Sequence, residues 1–144
     1  MRWSGPEGFY VSDERECVDV VRVHRWLSEE SYWATGRTLA LVEKTIANSL
    51  VLSLFSPTNV QVGVARWVTD AATFAWLADV FIDTEYRGCH LGRFLVTCAL
   101  EHPDVRDVKR RVLVTNDAHE LYRSVGFHNL FDPARWMEMG TATG

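Results

Sequence analysis

Two periodicities alternate along the chain: repeats of two with continuous apolar runs, typical of strands, and repeats of three and four, typical of helices. The strand-like runs cover residues 9–11, 50–55, 60–69, 74–83, 112–115, 127–131 and 136–139. The helical repeats predict a first helix from a Ser12-Asp13 cap to about Leu27. A second helix is predicted with Leu41, Val42, Thr45 and Ile46 on one side. Two further helices are predicted over residues 91–102 and 117–124. This order predicts an α/β architecture, a mixed sheet with helices on its faces.

The fourth of these strands, residues 74–83, is almost continuously apolar, which is typical of a central strand covered on both faces. Asp79 interrupts that run. A buried carboxylate costs free energy unless it is paired or faces a cleft. Two interpretations of Asp79 are therefore open: a carboxylate paired inside the helix layers, or one exposed in a functional cleft.

Composition favours a single domain over residues 1–144, because 47% of the residues are hydrophobic and no linker or repeat divides them. No signal peptide is visible, and no apolar run is long enough to span a bilayer. The net charge of −4 and the single short basic cluster, Lys109-Arg110-Arg111, argue against nucleic-acid binding. Three cysteines without metal-ligand spacing fit reduced thiols, so we expect a cytoplasmic protein with no metal site and no membrane partner.

Residues 83–93 join the fourth strand to the helix after it and contain Gly88 and Gly92. A strand that feeds a glycine-containing loop opening a helix directs several backbone N–H groups, and the positive end of the helix dipole, at one point. Such a concavity suits a phosphate or a diphosphate. The segment lacks both the Gly-Lys-Ser/Thr of a P-loop and the three spaced glycines of the dinucleotide fingerprint.

This loop resembles the signature of the GNAT superfamily, Arg/Gln-x-x-Gly-x-Gly/Ala, with His90 in place of the first glycine. Arg87, Leu91 and Gly92 match, and Gly88 matches the Arg-Gly pair that is common in such loops. Residues 115–127 are similar to the family's distal motif, Asn-x-x-Ala-x-x-Leu-Tyr-x-x-x-Gly-Phe, with Thr115 in place of the asparagine. The matching positions are Ala118, Leu121, Tyr122, Gly126 and Phe127. The order and separation of the two motifs identify the chain as a member of this superfamily.

The resemblance implies a mixed, mostly antiparallel sheet flanked by helices, with the fourth and fifth strands splayed apart to hold acetyl-coenzyme A. Strand backbone would pair with the pantetheine arm, and the glycine loop would wrap the diphosphate. The implied coenzyme contacts are Val80, Phe81, Ile82, Arg87, Gly88, Cys89, His90, Leu91, Gly92, Arg93 and Thr115. A side chain at His90, where the family usually has none, is expected to crowd the diphosphate.

The implied reaction is acetyl transfer from acetyl-CoA to an amine by direct attack. By the same resemblance, Tyr122 is the acid at the coenzyme sulfur. Asp79 is the best candidate for the base, with simple pairing an equal alternative and a water chain a third. Tyr32, Trp33 and Arg37 would line the acceptor side, with Arg37 holding a substrate carboxylate. Packing of the two aromatic residues onto the core is the alternative.

The leading hypothesis is an N-acetyltransferase for a small molecule or an amino acid. One alternative is a protein acetyltransferase that acts on N-termini or lysines, which needs an open groove. The other is a non-catalytic acyl-CoA sensor, which is compatible with the departures from the family motifs at His90 and Thr115. A homodimer that pairs the 136–139 strand across its interface is compatible with the pattern.

Overall fold

The computed structural model describes residues 1–140, and its centre is a six-stranded sheet whose strands are neighbours in chain order. The strands are β1 (Arg2–Ser4), β2 (Tyr10–Ser12), β3 (Leu50–Phe55), β4 (Gln61–Thr69), β5 (Ala75–Ile82) and β6 (Arg111–Leu113). Every neighbouring pair is antiparallel except β5 and β6, which run parallel. The predicted mixed, mostly antiparallel sheet is confirmed. Residues 141–144 of the predicted single domain lie outside the described part.

Four helices cover the two faces of the sheet: α1 (Val20–Arg25), α2 (Leu39–Ala47), α3 (Leu91–Glu101) and α4 (His119–Ser124). A wide π-type turn over Trp26–Glu30 extends α1. Thr38 caps α2 by accepting from the amide of Leu41 at 3.2 Å. On α2, Val42 and Ile46 are buried as predicted, whereas Leu41 is exposed. Among residues 1–140, no helix is both long and apolar enough to span a membrane.

The predicted start of the first helix at Ser12-Asp13 is wrong. The Asp13 carboxylate instead binds the N-terminal ammonium at 2.7 Å and the His102 ring at 2.8 Å, which holds it away from the following backbone. Residues 15–17 form only a short 3-10 turn. The helix begins after Asp19, whose side chain accepts from the amide of Arg22 at 3.1 Å.

A β-bulge in β5 decides which face its side chains reach. Val64 pairs with Phe81 and Arg66 with Ala78, so one β4 residue faces two β5 residues, and Asp79 takes a left-handed φ of 52°. The bulge reverses the alternation of side chains. Leu77 packs in the core beneath α3, whereas Phe81 packs in the core beneath α1 and α2.

The two final strands, predicted over residues 127–131 and 136–139, are absent from the described chain. Between residues 127 and 140 the structure has one short 3-10 turn, Pro133–Arg135, and no ladder bonds. An apolar run becomes a strand only where a partner edge meets its backbone, and β6 offers only three residues. Phe131, Met137 and Met139 are exposed. Dimerisation, expected through the second of these strands, stays a prediction.

Candidate functional site

A cleft opens where β5 and β6 separate. They pair only from Ala75 opposite Arg111 to Leu77 opposite Leu113. Beyond that point, no described strand pairs with residues 78–82 on the β6 side, and the chain after residue 113 turns toward α4. The resulting cleft has a volume of about 600 Å³. The predicted splay of these two strands is confirmed.

Most of the predicted coenzyme contacts lie around this cleft. Those that line it are Val80, Phe81, Ile82, Arg87, Gly88, His90, Leu91, Gly92 and Arg93, together with Tyr122 and Trp33. Cys89 is exposed in the same loop. Thr115 is not among the lining residues; its hydroxyl accepts from the amide of Ala118 at 3.1 Å and so fixes the turn into α4. The structure therefore brings the two sequence motifs together, apart from Thr115.

The glycine loop is shaped to present amides. The Asp83 carboxylate accepts from the amide of Glu85 at 3.0 Å and starts the 3-10 turn Thr84–Tyr86. Gly88 then has a φ of 82° and His90 a φ of 59°, two left-handed positions that reverse the chain before α3. The first turn of α3 contains no acidic residue. Backbone amides in such a turn, at the positive end of a helix, form a cradle for an anion.

Arg87 fastens this loop to the end of β5. Its Nε donates to the carbonyl of Ile82 at 2.9 Å, and its guanidinium lies 4.9 Å from the centre of the Phe81 ring. On the other side, Arg93 reaches from α3 to the carbonyl of Ser124 at 3.5 Å. Two cations thus stand at the rim of the cleft, where they add attraction for an anionic ligand.

Tyr122 presents its phenol from α4 and is only 9% exposed. Its ring meets Phe127 edge-on at a centroid distance of 5.8 Å. Burial, together with smaller effects of the nearby Tyr32 and Asp117, raises the pKa of Tyr122 to about 12. The phenol therefore keeps its proton at every physiological pH.

Asp79 is held by three side chains. Trp33 Nε1 donates to Oδ1 at 2.9 Å, and Arg37 Nη1 donates to Oδ2 at 2.8 Å. Arg66 places both Nε and Nη2 at 2.9 Å from Oδ2. The structure thus shows the paired alternative, and an amine could reach this carboxylate only by displacing one of these donors.

Of the three predicted acceptor-side residues, Trp33 lines the cleft, whereas Tyr32 and Arg37 are not among its lining residues. The Tyr32 hydroxyl accepts from the amide of Asn116 at 2.9 Å, and its ring meets that of Trp33 edge-on at 5.0 Å. Arg37 is engaged with Asp79. Sequence reasoning missed Arg66 and Asn116, because Arg66 belongs to no motif, Asn116 occupies an unspecified position of the distal motif, and both have partners that are distant in the chain. The unexplained carboxylate at Asp79 was the one signal that a cationic partner had to exist.

Residues 48–129 match the family model described as an acetyltransferase (GNAT) domain. The chain is also similar to a solved protein from Xanthomonas campestris pv. campestris that is assigned to the GNAT family of acetyltransferases. The two are 37% identical over 95% of this chain and 96% of that one, with a TM-score of 0.90. No curated protein matches the chain significantly.

Two more distant likenesses concern the fold alone. Glucosamine-6-phosphate N-acetyltransferase from Arabidopsis thaliana is 13% identical over 96% of this chain and 100% of that one, with a TM-score of 0.65. A Mycobacterium tuberculosis protein solved in complex with CoA is 15% identical over 83% of this chain and 72% of that one, with a TM-score of 0.68.

Proposed function

The chain belongs to the GNAT family of acetyltransferases, and from that membership we propose that it transfers the acetyl group of acetyl-CoA to the amine of a small molecule or an amino acid by direct attack. The observation that carries this proposal is the cleft between β5 and β6, which joins an amide-lined loop to a buried tyrosine. We place the reaction in the cytoplasm, since Cys17, Cys89 and Cys98 are all free thiols.

The residues around the cleft fit the coenzyme. On the side that faces away from β4, the backbone of residues 80–82 has no strand partner and offers hydrogen-bonding groups to an extended arm, except for the Ile82 carbonyl, which Arg87 occupies. The loop from Gly88 to Gly92 offers amides to a diphosphate, and Arg87 and Arg93 offer positive charge at the rim. Acetyl-CoA, when bound, supplies an acyl group already activated as a thioester. The chain orients this thioester and supplies the proton donor.

We assign Tyr122 as the proton donor to the leaving sulfur. Its raised pKa, about 12, keeps the phenol neutral and ready to donate. An ordinary thiol has a pKa of about 8.5, well below that value. The phenol therefore stabilises the negative charge that develops on sulfur through a hydrogen bond. Its proton passes to sulfur as the proton lost by the acceptor amine reaches the phenol oxygen through water.

We assign deprotonation of the acceptor amine to water and not to Asp79. Its carboxylate is engaged by Trp33, Arg37 and Arg66. The rate should then follow the fraction of the acceptor that is neutral amine, which grows as pH rises toward the amine pKa.

Tyr122→Phe tests this assignment, because it keeps the ring that packs on Phe127 and removes only the hydroxyl. We expect kcat for thiol release to fall by about 10²-fold, with coenzyme affinity by calorimetry unchanged. The wild-type pH–rate profile should rise to a plateau without a falling limb below pH ~11, because Tyr122 loses its proton only near its raised pKa. Unchanged turnover in the variant would remove Tyr122 from the mechanism. Coenzyme binding without thiol release over any amine would support the sensor alternative.

A further inference from the structure

Residues 31–37, which we term the bridging segment, cross the cleft and are bound to both of its sides. On the β5 side, Trp33 and Arg37 donate to Asp79 at 2.9 and 2.8 Å. On the other side, Tyr32 accepts from the amide of Asn116, in the turn between β6 and α4, at 2.9 Å. The segment therefore spans the gap that the separation of β5 and β6 creates.

The anchor on β5 is specialised for this contact. Asp79 occupies the bulge of β5, where its left-handed backbone and its 7% exposure are both costly for a carboxylate. Arg66, from the adjacent β4, binds the same oxygen and also donates to the Ser49 hydroxyl at 3.1 Å. A conformation this unfavourable persists only where its surroundings compensate for it. Two of the partners that compensate for it, Trp33 and Arg37, belong to the bridging segment.

The segment is also fixed along its own length. His24 Nε2 lies 3.0 Å from the carbonyl of Arg37, and the amide of Gly36 donates to the carbonyl of Ser28 at 3.0 Å. At the other end, the Ser31 hydroxyl donates to the carbonyl of Leu27 at 2.7 Å and accepts from the amide of Ala34 at 3.1 Å. Each end of the segment is thus tied to α1 or to its extension, so that the bridge has few ways to move aside.

We propose that Asp79 is a positioning residue that clamps the bridging segment across the cleft, so that the segment excludes extended polypeptides and admits a small amine. This inference rests on the proposed function and names the element that limits the size of its acceptor. It also replaces the role of base that the sequence suggested for Asp79.

The course of the bridging segment supports a small acceptor. A polypeptide substrate needs an open groove on the acceptor side, and the bridge from Asp79 to Asn116 crosses that side. Trp33 lines the cleft and offers an apolar wall to a small molecule.

Asp79→Asn is the test, because asparagine keeps the shape and removes the charge that binds both arginines. We expect KM for the amine to rise about tenfold, with a smaller change in kcat. KM for acetyl-CoA and the pH of half-maximal rate should not change. If Asp79 were the base, kcat would fall instead and its dependence on pH would change. Asp107→Asn is the matched control, since Asp107 is 92% exposed and precedes β6 at the other end of the sheet.

Hydrogen–deuterium exchange measures the clamp without any reaction. Amides of residues 31–37 should exchange faster in Asp79→Asn than in the wild type and in Asp107→Asn, while those of β3 and β4 do not change. Trp33→Phe keeps an aromatic wall and removes one donor, so it should accelerate the same amides to a smaller extent. If the Asp79→Asn variant does not fold, Trp33→Phe tests the clamp in its place. Unchanged exchange in the bridging segment would overturn the clamp.

The acceptor class is tested with wild-type protein and thiol release over free amino acids, spermidine and a short peptide with a free N-terminus and one lysine. Turnover of the amino acids or of spermidine above that of the peptide supports the inference. Equal or better turnover of the peptide overturns it. No turnover with any acceptor refutes the proposed function and the acceptor class together, and hydrogen exchange then still decides whether Asp79 holds the bridging segment.

Discussion

His90, the residue that precedes α3, has a φ of 59° and a ψ of 15°. In this left-handed region the Cβ of an L-residue is crowded by the following carbonyl, which costs about 1–2 kcal/mol. Glycine avoids that cost, but its greater conformational freedom in the unfolded chain lowers the stability of the fold by about 0.5–1 kcal/mol. We therefore expect His90→Gly to stabilise the fold by about 0.5–1 kcal/mol. For a domain of this size, the corresponding rise in Tm is about 2–4 °C.

A pair of control variants separates backbone strain from the imidazole ring. Ala71 has a φ of 61° and is exposed in the turn between β4 and β5, away from the cleft, so Ala71→Gly should give a similar rise in Tm. His90→Ala keeps the Cβ and its strain but removes the ring. Both variants at His90 should bind CoA more tightly than the wild type by calorimetry, because the ring lines the cleft beside the amide cradle.

Two results would refute this reasoning in different ways. If Ala71→Gly stabilises the protein and His90→Gly does not, the left-handed conformation at the start of α3 is not what strains the loop. If both His90 variants bind CoA more weakly, with Ala71→Gly unchanged, the imidazole holds the diphosphate and does not crowd it. Thermal unfolding and calorimetry on the same three samples distinguish these outcomes.

Further predictions concern the loop thiol and the floor of the cleft. CoA should block alkylation of Cys89, measured by mass spectrometry. Cys17, whose pKa is raised by its hydrogen bond to a neighbouring carboxylate, should be alkylated equally with and without CoA. Cys98, whose pKa burial raises to about 12, should not react. Protection of Cys17 but not of Cys89 would place the coenzyme elsewhere. Gly63→Ala should lower the free energy of unfolding in urea by about 1–3 kcal/mol, because the added Cβ would lie 3.2 Å from a backbone oxygen of β5. At Gly92, the atom nearest to an added Cβ is 3.8 Å away. Gly92→Ala should therefore be at least as stable as the wild type, and equal losses in both variants would contradict this packing.

The position of Asp79 illustrates how far sequence reasoning reached into the site. The sequence marked a carboxylate in an apolar strand as costly, which limited it to two roles, and the structure shows it paired with Arg37 and Arg66. These partners lie 42 and 13 residues away in the chain. No local pattern contains such a pairing, because it depends on the bulge in β5 and on where the bridging segment crosses the sheet.

The apolar runs at the C-terminal end illustrate the opposite case. Residues 136–139 have strand-like composition, yet Met137 and Met139 are exposed and the backbone there makes no ladder. β1 was not predicted, because Arg2-Trp3-Ser4 carries too little apolar pattern, yet it pairs with β2 along all three residues. Strand formation depends on a partner edge as much as on the residues themselves.

By itself, the sequence determined the elements whose stability is local or whose two faces are both buried: α2, α3, the strands from β3 to β5, and the glycine loop that opens α3. Helical periodicity, caps and left-handed glycines act within a few residues, so they can be identified along a single chain. The tertiary structure alone decided where β5 and β6 separate, that Tyr32 bonds to the turn before α4, and which side chains pair with Asp79. Those features arise from contacts between distant segments, whose free energy exists only once the sheet has brought them together.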